Sequence, residues 1–136
     1  MSRPAVAAFV DSFFTRTLFQ TDDTIAAAVL ATELAPDASI NINGASLTSH
    51  DFVNLIIKKF RPTCNAAIIE IKDLNIATTN ELGSTGVVGQ WTAYETKGKE
   101  DGKNLKQSAT TIVKVEERAG SHVVTGIWEA QTVDGA

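Results

Sequence analysis

Cysteine is almost missing from this 136-residue chain: Cys64 stands alone. No intrachain disulfide can form, and no all-cysteine metal cage. Histidine is as scarce, with only His50 and His122, so no structural zinc site and no bound metal are expected. Positive charge is also short. Twelve Lys and Arg face 16 Asp and Glu, for a net charge of −4 and a pI near 5.1. Duplex nucleic acid and anionic membrane surfaces are held by clustered cations, so neither is an expected partner. The richest local segment, 97–106, sets Lys97, Lys99, Lys103 and Lys106 against Glu100 and Asp101, too slight an excess to change that. Nothing nears the roughly 20 consecutive apolar residues of a membrane span. The apolar N-terminus is interrupted by Asp11 and Arg16 and does not form a signal peptide, so a cytoplasmic location is expected.

What is present is ordinary globular material, 43% hydrophobic and 21% charged, which argues against disorder. The length suits one domain spanning residues 1–136, and no repeat, linker or low-complexity tract divides it. The patterning changes character near Phe60. Before it, apolar residues recur at helical spacing. Val6, Phe9, Val10, Phe13, Phe14 and Leu18 give a helix over 5–19, with Pro4 at its start. Thr21-Asp22-Asp23 caps a second helix over 24–34, ended by Ala35-Pro36-Asp37. A short strand, 39–42, alternates polar and apolar and turns at Asn43-Gly44. Thr48 or Ser49 caps a third helix reaching Lys59 or Phe60, with Phe52, Val53, Ile56 and Ile57 on its apolar face and Arg61-Pro62-Thr63 as its stop.

After that the chain reads as four strands, 65–77, 85–97, 105–117 and 122–133, separated by turn-forming segments. They are long, about 12 residues against a usual mode of about 5–6. Long antiparallel strands twist and curl. The fold class is therefore α+β: three helices from the N-terminal half packed on a strongly curved, mainly antiparallel sheet, forming a cone with an internal cavity.

Three segments carry a resemblance. Leu34-Ala35-Pro36-Asp37-Ala38-Ser39-Ile40 follows the second helix, Val87-Val88-Gly89-Gln90-Trp91-Thr92-Ala93-Tyr94 carries a tryptophan on a central strand, and Val123-Val124-Thr125-Gly126-Ile127-Trp128-Glu129 forms the last strand. In this order, over residues 5–134, they resemble the nuclear transport factor 2-like superfamily, in particular its SnoaL-like members. The resemblance implies the conical fold, a pocket between helices and sheet, and dimerisation through the sheet's outer face. It covers ketosteroid isomerases, polyketide cyclases, dehydratases, epoxide hydrolases and proteins without catalysis.

The catalytic positions of that superfamily are mostly empty here. A general-base carboxylate would stand near the end of the first strand, where this chain has Ile40-Asn41-Ile42-Asn43. An oxyanion-binding tyrosine would stand on the first helix, where this chain has Phe13 and Phe14. A carboxylic acid would stand on the penultimate strand, at Ala109-Thr110-Thr111-Ile112. The Asp-Arg-Asp cluster of epoxide hydrolases has no arginine on a strand to build it.

Of the remaining polar residues, His50 and Asp51 are helix neighbours that do not face each other, and His122 reads as a turn histidine. The strand carboxylates Glu70, Glu95, Glu116 and Glu129 read as solvent-facing or paired with lysines. Cys64 reads as a small apolar residue. Unbroken alternation on the last strand puts His122, Val124, Gly126, Trp128 and Ala130 on one face and Thr125, Ile127, Glu129 and Gln131 on the other. The first face is taken as concave, with the Trp128 indole as a cavity wall beside two small residues. The opposite facing would put Glu129 in the cavity, where desolvation would suit it to acid–base work. The expected ligand-binding residues are Phe13, Phe14, Phe52, Ile56, Gln90, Tyr94, Thr111 and Trp128. The expected function is a cofactor-independent isomerase, cyclase or dehydratase acting on a small apolar cyclic molecule, with no organic cofactor and a homodimer formed through the sheet face. A non-catalytic ligand-binding domain and a protein–protein interaction module are the alternatives.

Overall fold

The computed structural model describes residues 3–135. Helix α1 (Ala5–Leu18) buries Val6, Val10 and Phe13, the face its spacing dictates. Helix α2 (Asp23–Glu33) is capped by Asp22, whose carboxylate accepts from the Thr24 and Ile25 amides at 2.9 and 3.2 Å. Arg16 and Glu33 join the two helices by two bonds of 2.6 Å each.

Strand β1 (Leu34–Ile42) begins earlier than its alternation suggests, because Ala35-Pro36-Asp37 joins it as an irregular stretch. Asn43 and Gly44, with φ of 52° and 89°, turn it into β2 (Ala45–Leu47). Both turn residues have positive φ, the type I′ geometry that Asn-Gly favours. Helix α3 (Ser49–Asn54) opens on a reciprocal capping box between Thr48 and Asp51. It continues without a break as a π-helical segment (Leu55–Phe60) and a last turn (Arg61–Thr63). The helix thus runs through Arg61-Pro62-Thr63, with the Arg61 N–H donating to the Ile56 carbonyl in the π pattern.

Four long strands follow: β3 (Cys64–Thr78), β4 (Gly86–Gly98), β5 (Asn104–Arg118) and β6 (Ser121–Gly135). The sheet order is β2-β1-β6-β5-β4-β3, antiparallel except for the β1–β6 pair. This is the curved α+β cone that the patterning implies. The helices cover its concave face.

Two kinds of filling divide that concave face lengthwise. At one end Val88, Val113, Val115, Val124 and Ile127 pack against Val6, Val10 and Phe13, all at most 1% exposed. Further along the same strands the inward residues become Thr92 and Tyr94 on β4, Ala109 and Thr111 on β5, and Glu129 and Gln131 on β6. The core closes the cone at one end, and the polar positions are where it opens.

One irregularity sets which residues of β6 face inward. Gly126 pairs with Lys114 but Val124 pairs with Val115, so Thr125 is an extra residue in β6. This β-bulge breaks the alternation. Val124 and Ile127, three apart, are both fully buried. Beyond the bulge Ile127, Glu129 and Gln131 face in, and Gly126, Trp128 and Ala130 face out.

Candidate functional site

The cavity measures about 360 Å³, within the lower range for small-molecule sites. Its wall is mainly apolar. Helix α1 supplies Phe14 and Leu18, β1 supplies Ile42, and the third helix supplies Phe52, Ile56 and Phe60. The π-helical segment contributes directly, since Leu55, Ile56, Lys59 and Phe60 all belong to it and to the wall.

Glu129 is the only carboxylate on this wall among the described residues. No hydrogen bond or ion pair reaches its side chain among those residues, and burial pushes its carboxyl up to about 7 from the ordinary 4.5. An unpaired carboxylate in an apolar space is better neutral than charged, and no cation offsets that here. The group is shielded by the protein yet only partly buried by area, because its oxygens border the cavity.

Beside it lies a small polar network. The Gln131 amide donates to Gln107 Oε1 at 2.9 Å and to the Tyr94 hydroxyl, and Tyr94 in turn donates to the same Gln107 oxygen at 3.1 Å. Gln107 passes the chain on to Thr96 Oγ1 at 3.0 Å. Burial pushes the Tyr94 phenol up to about 12, so it stays a neutral donor at physiological pH. Thr111 stands directly across from Glu129 in the β5–β6 register. Asn43 braces the segment from the other side: its Oδ1 accepts from the Gln131 backbone N–H and its own backbone N–H donates to the Glu129 carbonyl, both at 2.8 Å. Cys64 also lines the cavity, with its thiol pushed upward by burial.

Of the eight residues expected at the site, the structure brings Phe14, Phe52, Ile56, Tyr94 and Thr111 onto this wall. Phe13, Gln90 and Trp128 are placed elsewhere. Phe13 has no exposure and sits in the closed core, edge-on to Phe14 at 5.4 Å. Gln90 faces inward but is 2% exposed; its amide donates to Asp11 Oδ1 at 2.7 Å and Asp73 Oδ1 at 3.2 Å. Those carboxylates also grip Arg3, making a clasp between α1 and the sheet. Trp128 is 43% exposed on the outer face, where its ring lies so close over Gly126 that a Cβ there would meet it at 2.7 Å. The small neighbour accommodates the indole, as its placement beside Gly126 suggests, but on the convex side. Trp91 shares that side, with the Lys72 ammonium 5.4 Å from its ring.

Gln131, Phe19 and Lys59 line the cavity without any signal in the sequence to single them out. For Glu129 the signal was Gly126: a glycine inside a strand marks a bulge, and a bulge at Thr125 is what turns the carboxylate inward.

The sequence matches no family model and no curated protein. Solved structures do match in shape. A ketosteroid isomerase-like protein from Erwinia carotovora atroseptica SCRI1043 superposes with a TM-score of 0.71 at 13% identity, covering 93% of each chain. A hexachlorocyclohexane dehydrochlorinase, LinA-type3, from Novosphingobium barchaimii LL02 gives 0.62 at 12% identity, over 94% of this chain and 86% of the other. A putative isomerase of the SnoaL-like family from Agrobacterium tumefaciens C58 gives 0.57 at 8% identity, over 94% and 97%. The chain has the nuclear transport factor 2-like fold. At these identities the likeness extends to the nuclear transport factor 2-like architecture and not to a reaction. No described helix is long and apolar enough to cross a membrane.

Proposed function

We propose that this nuclear transport factor 2-like domain is a cofactor-independent isomerase-type enzyme, in which Glu129 carries a proton between two carbons of a small apolar cyclic substrate. The observation that carries this reading is Glu129 itself: one unpaired carboxyl in an apolar cavity, balanced near pH 7 between acid and base. A single such group suffices for a proton shift. As carboxylate it removes a proton from the carbon next to a carbonyl, and the C–H electron pair passes to the carbonyl oxygen. As carboxylic acid it returns the proton to the far carbon of the conjugated system, and the electrons move back. A base titrating near the working pH is best suited to both halves. The Thr111 hydroxyl, across the strand pair from Glu129, is placed to donate to the oxygen that gains charge.

The stretch where the resemblance implies a carboxylate, Ile40-Asn41-Ile42-Asn43, holds none. One of its residues, Ile42, is the sheet partner of Glu129. The carboxyl is thus supplied at the same level from the neighbouring strand.

The test uses a panel of β,γ-unsaturated cyclic ketones of increasing size, followed by the ultraviolet absorbance of the conjugated product. Conversion by the wild-type chain, rising with pH through a midpoint near 7, is the expected result. Saturable binding of the ketones with no conversion would replace the enzyme with a ligand-binding domain.

The same proposal includes a second copy of the chain on the outer face. Ile112 and Trp128 are cross-strand partners there, 45% and 43% exposed, and a contiguous apolar surface of this kind is characteristic of an interface. Sedimentation should show a dimer at micromolar concentration, shifted to monomer by Trp128→Glu. A wild-type monomer under those conditions would remove this part of the proposal.

A further inference from the structure

The helix that lines the cavity ends against a second, smaller space of about 60 Å³. Leu18, Phe19 and Cys64 wall both. The smaller space is polar, with Arg61, Lys99, Gln20 and Asn65 around it. Arg61 is only 6% exposed. A guanidinium that deep needs partners for its five N–H groups. Nε donates to Asp23 Oδ1 at 2.8 Å, and Nη1 to the Thr17 carbonyl at 2.9 Å. Asp23 is itself 76% exposed, so solvent screens much of its charge. Among the described residues nothing accepts from Nη2. Lys99 is held nearby by its backbone, whose N–H donates to the Thr63 carbonyl at 2.9 Å. This bond fixes the β4–β5 turn against the end of the helix.

We infer that this space is an anion subsite, and that the molecule occupying the large cavity is an amphipathic carboxylic acid. Its cyclic body fills the apolar cavity over Glu129, and its carboxylate sits between Arg61 Nη2 and the Lys99 ammonium. The space exceeds the roughly 10–15 Å³ that a single water needs, so it admits a carboxylate. Across both walls the cations are Lys59, Arg61 and Lys99, against the Asp23 carboxylate and a Glu129 that burial keeps mostly neutral below pH 7. A carboxylate adds the negative charge this lining lacks and accepts charge-assisted hydrogen bonds. The inference rests on the cavity being a small-molecule site and names the class of molecule it takes.

The test follows N-phenyl-1-naphthylamine, whose fluorescence rises in apolar cavities, and its displacement by 4-cyclohexylbutanoate or 4-cyclohexylbutan-1-ol. The competitors differ only in head group. At about pH 6 the acid is ionised while Glu129 is mostly neutral. The acid should displace the probe at about tenfold lower concentration than the alcohol, and added salt should narrow the gap. Lys99→Glu, an exposed turn substitution, should erase most of the acid's advantage and leave the alcohol unchanged. Arg61→Gln should do the same if circular dichroism shows it folded; because Arg61 also holds the Thr17 carbonyl, Lys99→Glu decides the matter if it is not. Equal displacement by acid and alcohol, or an advantage that survives Lys99→Glu, overturns the anion subsite and leaves the cavity reading standing. If neither the probe nor either competitor binds, both fall.

Discussion

Glu129→Gln is expected to stabilise the protein above neutral pH and, on the proposed function, to remove its turnover. The carboxyl is held neutral by burial up to about pH 7, against an ordinary value of 4.5. Below pH 4.5 the folded and unfolded chains both keep this proton, and the group contributes no pH dependence. Between 4.5 and about 7 the unfolded chain has released the proton and the folded chain has not, so folded stability falls as pH rises. Above 7 the whole deficit is present, at most about 3 kcal/mol and nearer 2 once the open side of the cavity is allowed for. Glutamine has the same shape and no proton to lose. Denaturation of the two proteins should therefore agree near pH 4, and the variant should be about 2 kcal/mol more stable at pH 8. Turnover moves in the opposite direction, because the base is gone: a loss of about 10²- to 10⁴-fold in kcat is expected for the ketones of the isomerisation assay. A variant with unchanged pH dependence of stability would mean that Glu129 is solvated in the folded chain. A variant that keeps its kcat would mean that the proton travels by another group.

On the proposed function, stability is traded for activity at this position. A chain selected for stability alone would put an apolar residue opposite Thr111 and Ile42. In the proposed reaction the apolar wall that raises the carboxyl would also keep water from a developing enolate. The Asn43 bonds to the backbone of Glu129 and Gln131 hold this segment in place without touching the carboxyl, so they fix its position while leaving its pKa to the cavity.

The fold was open to reading because it rests on repeated, redundant signals. Six apolar residues at helical spacing place α1 even if one of them is misjudged, and the capping residues Asp22 and Thr48 stand where their helices start. The long strands announced a curled sheet before any partner was known. Five of the eight residues expected at the site reach the cavity wall because helix faces and the Gln90–Thr92–Tyr94 alternation survive translation into three dimensions. Gln90 shows the limit of that argument: facing inward is not the same as lining the cavity, and which end of the cone a residue occupies depends on pairings between distant strands. The assignment of Trp128 and Glu129 failed for a more local reason. It needed one count along β6 to be continuous, and a single inserted residue reverses every facing beyond it.

Thr125 is where that count breaks. Lys114 pairs with Gly126 and Val115 with Val124, so a chain without Thr125 sets consecutive residues of β6 against consecutive residues of β5. All thirteen register pairs between the two strands can then be kept, and ordinary alternation puts Val124 inward, Gly126 outward, and Ile127 and Glu129 inward. Val124 and Ile127, both fully buried, keep their places in the core. Deletion of Thr125 should therefore cost only the local twist that the bulge gives the sheet, less than the roughly 1.5–3 kcal/mol of one fully buried aliphatic side chain. The Glu129 carboxyl should stay in the cavity, and the shortened chain should keep the fall in stability between pH 4.5 and about 7. Ile127→Ala leaves the bulge and empties core volume instead, and should cost about 2–5 kcal/mol, a large part of the ~5–15 kcal/mol that usually separates folded from unfolded chains. Chemical denaturation of both variants at pH 4 and pH 8 separates the strand's pairing from its packing. A deletion as costly as Ile127→Ala, or one that loses the pH dependence, would show that the bulge itself holds Glu129 inward.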